Sequence, residues 1–166
     1  MGGVEGKAGM TLAIIGKARQ VAKSEQSFYD LVWTMGTVNI DADMYLCLHG
    51  EHSKHPERDW TWADSYLRDV VQYYSRFPIV NSVCVLLAFL AYEVEVDKND
   101  EITRVDILAS PLIATKEMKE EKPAVAFWVG YLRAMGIEVN WEGGFKRALP
   151  YMWEDHGHKD FTGVIV

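Results

Sequence analysis

Between Val38 and His49 the chain alternates without a break. Val38, Ile40, Ala42, Met44, Leu46 and Leu48 fall on one parity; Asn39, Asp41, Asp43, Tyr45, Cys47 and His49 fall on the other. A period of two is the mark of a strand with one face in the core, because successive side chains leave opposite sides of a pleated backbone. No helix satisfies it. The segment therefore predicts a sheet, and the helical spacings around it predict what packs on that sheet.

Leu12, Ile15, Ala18 and Ala22, with Lys17, Arg19 and Lys23 between them, predict a helix from Lys7 to Lys23 with a basic outer face. Ser24 offers an N-cap for a second helix from Glu25 to about Met35, which Gly36 ends in a left-handed conformation. Asp59 can cap a third from Trp60 to about Arg76, closed by Pro78. Residues 79–96 fit either a buried helix or a long strand. The Asp97-Lys-Asn-Asp100 cluster is turn chemistry and Ile102 to Leu108 is rich in β-branched residues, so a β-hairpin is expected within 92–108. Pro123 suits the first position of a helix to Met135, Gly136 stops it, and Ile137 to Trp141 reads as a short strand. Phe145 to Trp153 completes the set as a last helix. Helices interleaved with a hairpin-containing sheet predict an α+β class, with residues 1–166 as one compact domain and 1–9 a flexible leader.

Composition supports one core and narrows the partners. With 49% hydrophobic residues the chain can bury a large interior. The 24 acidic against 17 basic residues give a formal charge of −7, and no Lys/Arg patch stands out, so nucleic acid is not an expected partner. The apolar stretches Pro78 to Tyr92 and Pro123 to Val139 are broken by Asn81, Ser82, Arg133 and Glu138. They fall short of the roughly 18 clean residues of a membrane span. Two cysteines in apolar surroundings, Cys47 and Cys84, and the lack of a basic-then-apolar leader predict a reducing, cytoplasmic setting.

All five histidines lie in two short stretches, Cys47-Leu-His49-Gly-Glu51-His52-Ser-Lys-His55 and Glu154-Asp-His156-Gly-His158-Lys-Asp160. If 38–49 is extended, the Cys47 thiol and the His49 imidazole share one face. His52 and His55 follow at intervals of three and can swing toward the same point. Three imidazoles and a thiolate or carboxylate are a ligand set that zinc accepts, with Glu51 as general base on a bound water. His156 and His158 would meet a common point if their segment is extended. His49-Gly-Glu51 resembles the His-x-Glu half of the zinc deaminases, without the Pro-Cys-x-x-Cys half that completes that family's site. The spacing matches no established zinc signature, and a hydrophilic surface loop collects the same residues.

Three functions follow. The first is a small acidic intracellular binding protein, acting by protein–protein contact on a partner or on another copy of itself through surface Trp and Tyr, with no catalysis. The second is a zinc-dependent hydrolase built on the histidine clusters. The third is a structural subunit of a larger assembly. The first is preferred, because it needs no motif the sequence lacks.

Overall fold

Met10–Ile15 forms β1, and four consecutive residues of it, Leu12 to Ile15, are at most 1% exposed. A strand covered on both faces has no polar parity to show. That is why the run resembles one turn of a buried helix in the sequence, and why the expected helix from Lys7 to Lys23 is replaced by a strand and a loop. The structure, a computed structural model, describes residues 9–112 and 118–144.

Along the chain come α1 (Lys23–Gln26), β2 (Leu31–Met35), β3 (Met44–Leu46), a 3₁₀ turn (Pro56–Arg58), β4 (Asp59–Trp60), α2 (Ser65–Tyr73), α3 (Ser82–Glu95), β5 (Ile102–Leu108), α4 (Met118–Ala134) and β6 (Glu138–Trp141). The six strands form one sheet in the order β4-β3-β2-β1-β5-β6, and every neighbouring pair is parallel. The α+β expectation is therefore corrected to a parallel α/β architecture in one compact domain. The expected hairpin at 92–108 is absent: residues 96–101 join the end of α3 to β5, whose partners are β1 and β6. The helix expected over Glu25 to Met35 is the short α1 followed by β2. Gly36, expected as a left-handed helix stop, instead lets Cys47 approach, since a Cβ there would lie 2.4 Å from the thiol sulfur.

The chain moves one way from β1 to β4, then crosses back to β5 on the other side of β1 and continues to β6. With crossovers of one hand, the first set of connections must cover one face and the second set the other. Burial follows that rule. Leu12 and Ile14 pack with α2, α3 and α4, whereas Ala13 and Ile15 pack with Val21, Tyr29, Ile40 and Ala42 from the two irregular connections of the first half.

The helical face is built around α3. Val83 to Ala91 are nine buried residues in a row, apolar all round, which a helix tolerates only when sheet and neighbouring helices cover every side. Asn81 starts it by accepting the Cys84 N–H at 2.8 Å from an extended backbone. Alongside, α4 buries Val125, Trp128, Val129 and Leu132 at helical spacing. It begins five residues ahead of the expected start at Pro123, which lies inside the helix. Its end is a Schellman motif: Gly136 at φ 89° donates to Arg133 O at 3.0 Å and Ile137 donates to Leu132 O at 3.1 Å. The helix expected at 145–153 lies outside the described residues.

Candidate functional site

The alternating segment holds its parity only in part. Met44–Leu46 is strand, Met44 and Leu46 enter the helical face, and Tyr45 and Cys47 enter the second core instead of a polar surface. Asp41 is exposed and taken by Arg58 at 2.8 Å; Asp43 accepts the Val32 N–H at 2.8 Å. The expected common face of Asp41, Asp43, Tyr45, Cys47 and His49 is thus divided between core and solvent.

The described imidazoles share no common point of contact. His55 lies 3.3 Å from Asp41 and 3.5 Å from Glu57, His52 is 3.9 Å from Asp59, and His49 is exposed. Glu51 folds back to accept the His49 backbone N–H at 2.9 Å. Burial first, then the Asp59 charge, pushes the Cys47 thiol up to about 11, so it stays protonated near neutrality. Asp59 is nearly buried and its Oδ1 has no hydrogen-bond partner among the described residues. No group of three or more His, Cys, Asp or Glu among the described residues is placed to hold a metal ion. His156 and His158 lie outside the described residues.

A different region has the geometry of a ligand site. In open parallel sheets the crevice forms at the carboxyl ends of the strands where the order reverses, because the two loops there part toward opposite faces. Here that point lies between β1 and β5. The ladder continues past both strands: Gly16 N donates to Leu108 O and Ala18 N to Ala109 O, each at 2.8 Å. A Cβ on Gly16 would sit 2.5 Å from Ala109 O and 2.7 Å from Ser110 Oγ, so only glycine permits this approach.

Ala109 and Leu112 both adopt left-handed backbone, at φ 56° and 54°. Such residues cost about 1–3 kcal/mol each and persist where the surroundings dictate them. For Ala109 the surroundings are explicit. Its N–H donates to Glu142 at 3.1 Å, and Glu142 takes a two-pronged grip from Arg19 at 2.8 and 2.7 Å. Arg19 also reaches Glu25 at 2.8 Å. The paired charges hold the Glu142 carboxyl below its ordinary range and raise the guanidinium, and they lock the loop after β1 against the loops after β5 and β6.

These loops line an open crevice of about 660 Å³, formed by Lys17 and Ala18 after β1, Ala109 to Leu112 after β5, Asn81 to Val83 at the start of α3, Met35, and Glu121 of α4. Lys17 has no ion-pair partner, and Ser110 Oγ no hydrogen bond, among the described residues. The N–H groups of Ser82 and Val83 belong to the first helical turn and have no intrahelical acceptor. The lining thus includes a cation, a hydroxyl and two first-turn backbone N–H groups as donors for anionic oxygen, and Glu121 as an acceptor for hydroxyls.

None of these residues was singled out from the sequence. Two signals were present: Asn81-Ser82 immediately before a long apolar run, and Gly16-Lys17 immediately after Met10–Ile15. The second became visible only once that run was known to be a strand. Comparison with protein-family models, with curated proteins and with solved structures finds no match. The chemistry of the crevice therefore has to be read from its own residues.

Proposed function

We propose that this protein binds a small phosphate-bearing molecule in the crevice between the carboxyl ends of β1 and β5. The observation that supports it best is the cavity of about 660 Å³ at the point where strand order reverses, within the size range of small-molecule sites and walled by Lys17 and Ser110. Phosphate suits the donors, because the Lys17 ammonium is a mobile point charge and the first-turn N–H groups of α3 carry the positive end of a long helix dipole. Hydroxyl groups on the same molecule suit Glu121. A sugar phosphate or nucleotide combines the two.

Calorimetry with AMP and with inorganic phosphate tests this. AMP is expected to bind, and Lys17→Ala to weaken it about tenfold, the usual size of one charge-assisted contact. Ser82→Pro removes one donor at the first helical position, where proline is tolerated, and is expected to weaken AMP without loss of fold. His49→Ala is expected to change nothing. Absence of heat with both ligands would refute the proposal.

Contact with a protein partner is a second reading, and one observation favours it. Trp62, Tyr73 and Phe127 on the helical side remain 43%, 56% and 38% exposed. Light scattering across a concentration series would show self-association if the partner is another copy. The zinc hydrolase is not carried forward, since among the described residues His52 and His55 face different carboxylates and His49 is exposed.

A further inference from the structure

Lys17 is a wall of two cavities. Besides the crevice on the helical side, a second one of about 830 Å³ opens on the other face of the sheet, between the loop after β1 and the loop after β2. Its floor is apolar, from Ile15, Val21 and Ile40, which belong to the second core. Its rim carries Lys23 and Lys54, both exposed and neither with an ion-pair partner among the described residues. In a chain of net charge −7 this is a local excess of positive charge. The acids nearby are already engaged, Asp41 by Arg58 and Glu25 by Arg19.

The geometry points to a ligand in two parts joined by an anionic bridge, an adenine dinucleotide, with its diphosphate at Lys17 and its two halves in cavities on opposite faces of the sheet. This rests on the phosphate-binding reading of the first crevice and extends it to the second. Each cavity is of a size that takes one small-molecule moiety. A mononucleotide fills one and leaves the other to water. Lys17, the cation shared by both walls among the described residues, lies where the loops after β1 and β5 part, which is where a bridging diphosphate has to cross from face to face. The second cavity offers a ribose the side chains of Thr37 and Asn39, both exposed and without a hydrogen-bond partner among the described residues. Its apolar floor accepts the flat side of a base. The chain lacks the glycine fingerprint that seats a diphosphate on a helix directly after the first strand, and α1 is too short for that role. The charge is met by Lys17 at the junction, with Lys23 and Lys54 beyond it.

The test compares NADH and FAD with AMP, by calorimetry on the full chain and on the double charge reversal Lys23→Glu with Lys54→Glu. Both lysines are exposed, so the variant is expected to keep its fold, checked by circular dichroism. The expected result is at least one dinucleotide binding about tenfold or more tighter than AMP, with the reversal weakening it about tenfold and leaving AMP unchanged. If AMP and both dinucleotides bind equally and the reversal alters none, the second cavity is not used and this inference fails, while the single-cavity reading stands. If neither AMP nor either dinucleotide binds, both fail together.

Discussion

The two faces of the sheet are covered in different ways. On one side three helices bring continuous apolar surface; on the other, irregular chain from 16–30 and 36–43 lies on the sheet and is pinned by side-chain hydrogen bonds. Tyr29 reaches Asp106 at 2.6 Å, the Thr34 hydroxyl donates to Ile15 O at 2.6 Å, Arg58 donates to Ala42 O at 2.9 Å, and Tyr45 donates to Ile40 O while accepting from Ala42 N. A helix satisfies its own backbone, so the layer above it can be oil. Irregular chain cannot, and the face beneath it must supply polar partners or leave room for a ligand. This second face has both the polar anchors and the larger cavity.

Removing one anchor from each side should separate them, and the largest effect is expected on the helical face. Trp128 is fully buried, stacks edge-on with Tyr74 at 5.0 Å, and donates to Pro78 O at 2.7 Å. Trp128→Ala is expected to cost about 3–5 kcal/mol in urea denaturation, the usual range for a deleted core aromatic. On the second face, Asp106 is the anchor: it is 6% exposed and is held by Arg104, Tyr29 and Asn140. Asp106→Ala is expected to cost about 2–3 kcal/mol, because three donors lose their acceptor. Hydrogen exchange on the same two variants should find the amides around 16–30 accelerated more in this one than in Trp128→Ala. Equal acceleration would mean the two faces are not held independently.

How much of this was legible in the sequence divides along the same line. The helical face was partly readable: α2 lies within the expected 60–76, although Asp59 and Trp60 are strand and not the cap and first turn expected there, and the Gly136 stop and the strand after it are present. Those signals are local, set by caps and by spacing within one element. The parallel sheet was not readable, because Met10–Ile15 shows no alternation when both faces are buried, and short apolar runs fit helix and strand equally well. The alternation at 38–49 was real but overextended, since only Met44–Leu46 finds strand partners. The crevice was hidden for a related reason. It is assembled from loops about 90 residues apart, and their meeting depends on strand order, which no local pattern encodes.

Two smaller tests sharpen the contrast. Ala109→Gly relieves a left-handed residue and is expected to stabilise the fold by about 1 kcal/mol, while loosening the loop at the crevice. Opposite results, lower stability with ligand affinity unchanged, would remove Ala109 from the site. The pH dependence of the two faces should also differ in sign. Burial pushes Glu93, at the end of α3 near Asp97 and Glu101, from the ordinary 4.5 up to about 7. Its contribution is complete below about 4.5 and is lost as pH rises through 7, and Glu93→Gln should flatten that decline in thermal melts. Burial alone would raise Asp106, but hydrogen bonds from Arg104, Tyr29 and Asn140 outweigh it and hold its carboxyl below the ordinary 3.8. Its contribution is present above that value and is lost as pH falls through the lowered one.

The most direct measurement is a titration of the isotopically labelled protein with AMP, followed by backbone amide resonances. Binding at the strand-order reversal predicts that the largest shifts cluster at Lys17, Ala18, Ser82, Val83 and Ser110, with residues 49–55 unmoved. Shifts centred on His49, His52 and His55, or none anywhere, would contradict it.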